Sequence, residues 1–157
     1  MNRTLFALTA LIACGPSSSE IKAAKTARYT CEYEKIFQTA VDVVKEETPP
    51  LGEAVPEKGY VASDFRWHSS SGMRKESGAT QVGTGDVGFL VEVAIRKDGA
   101  GFFIQAIPRV FSQSPDTPRG RQMNHDDANW PPWADGKADK VQIGIHEKLS
   151  GCAAKGP

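Results

Sequence analysis

Residues 87–110 carry the pattern that most constrains the fold of this chain. Apolar side chains occupy every second position on both sides of a short polar segment, which is the period at which side chains of a β-strand share one face. The polar segment contains Asp98-Gly99, a pair that favours the positive φ angles of tight hairpin turns. The sequence therefore predicts a β-hairpin, in which Pro108 cannot donate a ladder hydrogen bond and favours a frayed or edge position. The alternating apolar residues are Val87, Phe89, Val91, Val93 and Ile95 before the turn and Phe102, Ile104 and Ala106 after it.

Two other segments have the three- and four-residue apolar spacing that is typical of amphipathic helices. The first covers residues 34–47 and ends before Pro49-Pro50. The second opens at Pro131-Pro132 and ends near Gly151. An alternating run at 60–68 predicts a further strand. Because both helices must bury one face, this order predicts an α+β domain with two helices packed on one face of a small antiparallel sheet.

The amino terminus has the layout of an export signal. Arg3 provides a positive start, a short and largely apolar run follows at 5–13, and small residues precede Cys14. The run of about nine residues is too short for a lasting transmembrane helix, which needs roughly 20. We therefore expect residues 1–13 to be a removable signal peptide, residues 14–27 a flexible tether, and residues 28–157 a single globular domain.

The segment Leu11-Ile12-Ala13-Cys14 resembles the lipobox of bacterial lipoproteins. The resemblance implies cleavage before Cys14 and attachment of a diacylglyceryl group to its sulfur, so that acyl chains hold the protein in a membrane. In Gram-negative lipoproteins an aspartate after the cysteine often signals retention in the inner membrane. Gly15 at that position implies the outer membrane, with the domain facing the periplasm. The alternative is an ordinary secretory signal in which Cys14 is incidental.

If Cys14 carries lipid, Cys31 and Cys152 are the remaining cysteines. Two cysteines outside the cytoplasm usually pair, so we expect a disulfide that joins the first structured segment of the domain to its last. The alternatives are two unpaired thiols or a metal site. A metal site is disfavoured because neither cysteine has a C-x-x-C partner or a histidine at ligand spacing.

The charge balance argues against nucleic acid as a partner. The chain has 19 Lys and Arg residues and 19 Asp and Glu residues. One of the basic residues, Arg3, falls in the segment expected to be cleaved, so the mature chain is slightly acidic. A nucleic-acid-binding domain usually carries a basic excess.

The order of the predicted elements and the stretch Trp133-Ala-Asp-Gly-Lys-Ala-Asp139 before the last helix resemble small bacterial lipoproteins. More distantly, they resemble the helix-grip domains of BamC, a lipoprotein of outer-membrane protein assembly. The resemblance implies a protein that is not an enzyme and needs no cofactor, and that binds or supports another envelope component. It carries no catalytic residue over to this chain.

Several short motifs offer a site, and each has a plainer interpretation. The run 83–88 fits G-x-G-x-x-G but follows a polar loop and enters a strand, whereas a dinucleotide fingerprint follows a strand and opens a helix. His125-Asp126-Asp127 offers metal ligands but is more typical of a solvated loop. His68 with Asp64 and the serines that follow offers a Ser/His/Asp set without a nucleophile elbow. His146-Glu147 lacks the second histidine of H-E-x-x-H.

Two surface features remain as binding candidates. Trp130 and Trp133 flank a double proline and either form a docking patch for a partner or cap the core where the last helix begins. Arg119-Gly120-Arg121 lies in one long polar segment, and Arg74 and Lys75 lie in another. These basic residues either contact anionic headgroups or peptidoglycan, or they are simply solvated.

We therefore expect a non-catalytic, membrane-anchored envelope lipoprotein that binds another envelope component. The alternative is a hydrolase that acts on cell-wall or lipid substrates, which requires titratable groups that converge in a cleft. The surroundings of His68, His125 and His146 discriminate between the two.

Overall fold

The computed structural model describes residues 16–75, 82–83 and 85–154. The predicted signal peptide and the predicted lipidation site Cys14 lie outside these residues. Within them, no helix combines the length and the apolar character needed to cross a membrane. The helices are α1 (Ser18–Thr26), α2 (Tyr33–Glu47) and α3 (Pro132–Leu149), with short 3-10 turns at Pro56–Lys58 and Ser150–Cys152. The strands are β1 (Arg28–Tyr29), β2 (Leu51–Val55), β3 (Tyr60–Ser63), β4 (Arg66–His68), β5 (Val87–Asp98), β6 (Gly101–Ser112) and β7 (Arg121–Gln122).

The seven strands form one antiparallel sheet in the order β1-β6-β5-β3-β2, with β4 paired to β5 and β7 paired to β6. The predicted hairpin is confirmed, because β5 and β6 pair continuously from Val87↔Ser112 to Asp98↔Gly101. The pairing passes through Pro108, opposite Val91, without fraying. The strand predicted at 60–68 is broken into β3 and β4, which pair with successive parts of β5.

One hydrophobic core joins buried residues of α2, α3, β5 and β6. Helix α3 contacts β6, α2 and α1, and α2 contacts β2, β3 and β5. At Gly144 of α3, an added Cβ would lie 3.0 Å from Val43 Cγ1, so this glycine allows the two helices to approach closely. Fully buried members of the core include Ile36, Ala40, Val44, Val91, Val93, Ile104, Val110, Val141 and Ile145.

The predicted disulfide is confirmed. Cys31 and Cys152 are bonded across 121 positions of sequence, with their Cα atoms 5.5 Å apart. Beside the bond, Thr30 N–H donates to the carbonyl of Cys152 at 2.9 Å. The carboxy-terminal segment is thereby fixed to the strand that opens the sheet.

The α+β class is confirmed, but the sequence predicted too few helices and strands. The structure has three helices and seven strands rather than two helices on a small sheet. The additional helix, α1, occupies Ser18–Thr26, where the sequence was interpreted as a flexible tether. The physical reason is a capping box, in which Glu20 N–H donates to Ser17 Oγ and Ser17 N–H donates to Glu20 Oε2.

Helix α1 is attached to the domain as well as capped. Ala24 is buried, and Lys25 forms a 2.6 Å salt bridge with Asp139 of α3. The carbonyl of Ala24 also accepts a hydrogen bond from Gln142 Nε2 at 2.9 Å. The folded domain therefore begins close to the predicted lipidation site instead of ten or more residues after it.

Candidate functional site

A cleft of about 170 Å³ opens where the end of α2, the junction of β3 and β4, and α3 meet. We call it the cationic cleft. Its lining combines three cationic side chains with two carboxylates, one histidine and one phenylalanine. It is lined by Glu47, Thr48, Pro49, Ser63, Asp64, Arg66, His68, Arg74, Phe89 and Lys137.

The cations of the cleft outnumber the carboxylates that neutralise them. Arg66 forms a 2.7 Å salt bridge with Asp64, and Arg74 Nη1 donates to the carbonyl of Pro49 at 2.8 Å. Arg66 Nε is buried and has no hydrogen-bond partner among the described residues. Among the same residues, Lys137 has neither a salt bridge nor a hydrogen bond. The cleft therefore retains unused donors and positive charge.

The electrostatics of Lys137 reflect this surplus. Its pKa is lowered, first because the ammonium group is buried and then because Lys140 and Arg74 are nearby cations. The Lys137 Nζ atom lies 5.8 Å from the centroid of the Trp133 ring, within reach of a cation–π contact. The charge of a negative group placed beside Lys137 would favour the ammonium form and raise this pKa.

Aromatic side chains form the inner wall beside the cleft. The centroids of His68 and Trp133 are 5.2 Å apart, and both rings pack against Phe89 at 5.5 and 5.1 Å. His68 is 5% exposed, and burial is the largest cause of its lowered pKa. Its Nδ1 lies 3.1 Å from the Arg66 carbonyl, which can only accept, so Nδ1 carries the proton. The ring is fixed by its own strand.

The start of the loop after β4 packs against Trp133. Trp133 Nε1–H donates to the carbonyl of Ser70 at 3.0 Å. Gly72 has φ +84° and lies so close to Trp133 that an added Cβ would be 2.8 Å from Cγ of the indole. An isolated bridge between His68 and Arg74 then directs the Arg74 side chain to the cleft.

The two predicted partner-binding tryptophans do not share one patch. Trp133 packs on His68 and Phe89, whereas Trp130 stacks on His125 with centroids 4.8 Å apart and donates from Nε1 to Asp135. Both tryptophans are partly buried against the core. This agrees with the alternative prediction that they cap the core where the last helix begins.

The three histidines have different surroundings. His68 lies in the wall of the cleft, and His125 is exposed and lies 3.2 Å from Asp135. His146 Nδ1 is 2.9 Å from the hydroxyl of Tyr29, whose pKa burial raises to about 12. In the part of the chain that the structure describes, no three His, Cys, Asp or Glu side chains are grouped to hold a metal ion.

The remaining motifs take structural roles. In the G-x-G-x-x-G run, Thr84 lies outside the described residues, Asp86 forms an ion pair with Lys75, and Val87 begins β5 rather than a helix. In the basic run at 119–121, Arg119 lies over the ring of Phe65 and Arg121 belongs to β7.

The cationic cleft was not found from the sequence as a unit. Arg66, Arg74 and Lys137 come from a strand, a loop and a helix, so no local spacing joins them. Arg74 was noted only for its charge, and Asp64 and His68 only as members of a hydrolytic set. Arg66 alternates with the aromatic residues Phe65 and Trp67. This alternation was the one local signal that the Arg66 side chain lies on a defined face of a strand.

No protein-family model matches the chain, and no curated protein matches it either.

Proposed function

We propose that this chain is a non-catalytic lipoprotein of the bacterial cell envelope that binds another envelope component in the cationic cleft. Acyl chains on Cys14 hold it in the outer membrane, with the domain facing the periplasm. The observation that carries the binding role is the surplus of cationic donors in the cleft, where Lys137 has no ion partner and Arg66 Nε has no acceptor among the described residues. Such a site favours an anionic group.

The layered arrangement that we propose for this domain has α2 and α3 on one face of the sheet. Buried residues of both helices belong to the same core as the inward residues of β5 and β6, which supports the arrangement. The cleft then lies at the end of this layer, where Glu47 ends α2 and Lys137 lies in the first half of α3.

A hydrolase is the second candidate, because Ser63, Asp64 and His68 all line the cleft. Their contacts favour binding over hydrolysis. Ser63 Oγ accepts from the N–H of Val91, Asp64 pairs with Arg66, and His68 Nδ1 donates to the Arg66 carbonyl. In a catalytic triad the carboxylate would instead orient the histidine.

The anchor is tested by labelling cells with radioactive palmitate. The wild-type chain is expected to incorporate label and to fractionate with membranes, and Cys14→Ser to do neither. An unlabelled wild-type chain in the soluble fraction would overturn the anchor.

The cleft is tested by site-specific photocrosslinking in intact cells. A benzophenone side chain at Thr48, on the rim of the cleft, is expected to capture an envelope component. The same group at Glu57, at the opposite end of β3, is the matched control. Adding Lys137→Gln should abolish the Thr48 product. Identical crosslinked products from both positions would contradict binding in the cleft. Hydrolysis of peptidoglycan or phospholipid by the purified protein, if it depends on Ser63 and His68, would favour the hydrolase.

A further inference from the structure

The chemistry of the cationic cleft suits a compact oxyanion. Its volume of about 170 Å³ is below the roughly 300–1,000 Å³ of pockets that enclose drug-sized ligands. Two arginines contribute planar guanidinium groups, which match phosphate oxygens better than a point charge does, and Lys137 adds an ammonium group. Asp64 is already paired with Arg66, so it offers little charge to the other two cations.

The cleft also lies beside the point at which the chain leaves the domain toward Cys14. Glu47 lines both the cleft and a neighbouring groove that contains Pro16, Glu20 and Lys140. Two residues after Cys14 the chain reaches Pro16, and two residues span at most about 7 Å. Because α1 is fixed to α3 by the Lys25–Asp139 salt bridge, the domain has little freedom to move away from its anchor.

We propose that the cationic cleft binds the phosphate of an anionic lipid headgroup in the membrane that holds Cys14. This inference rests on the proposed function and names its ligand. Arg74 and Lys137 contact the phosphate oxygens, and Arg66, which is paired with Asp64, lines the same cleft beside them. Headgroup phosphates are the oxyanions that a domain so close to a bilayer surface meets first, and a negative surface attracts such cationic groups.

The two carboxylates of the cleft limit which anions bind. Asp64 is held by Arg66, whereas Glu47 is exposed at the rim shared with the groove. A glutamate at the rim disfavours highly charged anions, since its charge repels them at short range. A headgroup with a single phosphodiester charge therefore fits the cleft better than a multiply charged ligand.

Lysine footprinting of the mature, lipidated protein tests the proposal. The protein is reconstituted in vesicles of phosphatidylcholine alone or of phosphatidylcholine with phosphatidylglycerol, and lysines are acetylated and quantified by mass spectrometry. Acetylation of Lys137 is expected to fall by about tenfold in the anionic vesicles, the factor that corresponds to one hydrogen bond to a charged group. Lys45, on the exposed side of α2, is the internal control and should be unchanged.

Two further arms identify the source of the protection. Arg74→Gln should abolish the protection of Lys137, whereas Arg96→Gln, which removes an exposed arginine of β5, should retain it. Equal protection of Lys45 and Lys137, or no protection of Lys137, would overturn the proposal. Protection by inorganic phosphate in phosphatidylcholine vesicles, without protection by phosphatidylglycerol, would assign the cleft to a free anion and overturn the lipid source.

The failures of the two proposals are distinguishable. Palmitate labelling and photocrosslinking report on the anchor and on binding in the cleft, independently of the ligand. A labelled, crosslinking protein whose Lys137 is unprotected retains the proposed function and loses only the lipid headgroup.

Discussion

The side-chain carbonyl of Gln142 accepts a hydrogen bond from the backbone N–H of Ala106 at 2.8 Å. Its amide nitrogen donates to the carbonyls of Ile104 and Ala24 at 3.2 and 2.9 Å. Strands β1 and β7 cover only the two ends of β6, and Gln142 bonds to the edge of β6 between them. One buried side chain of α3 thus links the sheet to α1.

Replacing Gln142 with leucine is expected to destabilise the fold. The change leaves the N–H of Ala106 and the carbonyl of Ala24 buried without their partner, and an unsatisfied buried group costs about 1–3 kcal/mol. We expect the free energy of unfolding, measured by urea denaturation, to fall by about 3 kcal/mol. Gln105→Leu, the same change at an exposed position of β6, is the control and should have an effect below about 0.5 kcal/mol. Equal effects of the two changes would show that the Gln142 bonds are not responsible.

The elements that the sequence predicted are those whose signal is local. The β5–β6 hairpin follows from strict alternation and one Asp-Gly turn, and α2 from a regular apolar stripe. Helix α1 was missed because Ser17 and Glu20 lie among serines that resemble a linker, although together they form a capping box. Gln142 was missed because a polar residue in a helix predicts an exposed position, whereas here three backbone groups satisfy it.

The candidate site depends on contacts between distant parts of the chain. Arg66 and Lys137 are 71 positions apart in the numbering, and nothing in either neighbourhood indicates the other. His68 was singled out as a catalytic candidate, but its environment is set by Trp133 and Phe89, which only the fold brings to it. Local patterns therefore predicted the scaffold better than the cleft.

The disulfide is expected to contribute substantially to stability. It closes a loop of 121 positions, and removing a disulfide of a small domain typically costs about 2–4 kcal/mol because the unfolded chain gains freedom. The double variant Cys31→Ser/Cys152→Ser should unfold at a correspondingly lower urea concentration than the wild-type protein. Reductant should lower the stability of the wild-type protein to that of the variant and leave the variant unchanged. A wild-type protein that is insensitive to reductant would contradict the prediction.

Stability is also expected to depend on pH through His68. Burial is the largest influence on the pKa of His68 and lowers it; the bond to the Arg66 carbonyl opposes this, and Lys137 and Arg74 lower the pKa further. The unfolded chain, with a histidine pKa near 6.5, therefore binds a proton at a pH where the folded protein does not. The contribution of His68 is present above pH 6.5 and is lost as the pH falls toward the lowered pKa of the folded state.

Denaturation at a series of pH values between about 7.5 and 5 tests this sign. The free energy of unfolding should fall with decreasing pH, and His68→Gln should reduce the slope. His125→Gln is the matched control, because it alters a histidine whose side chain is 72% exposed. A slope that is the same in wild type and His68→Gln would refute the assignment to His68.

A pair of glycine substitutions is expected to have opposite effects on stability. Gly59 ends the 3-10 turn with φ +60°, and a Cβ there would overlap the carbonyl oxygen of Ile95, so Gly59→Ala should destabilise the domain by more than about 1 kcal/mol. Gly136 lies in α3 with open space around its Cα, and Gly136→Ala should stabilise by about 0.5–1 kcal/mol, since alanine loses less backbone entropy in a helix. Thermal unfolding of the two variants measures both effects. A Gly59→Ala protein as stable as the wild type would mean that the β2–β3 turn and β5 do not meet as closely as described.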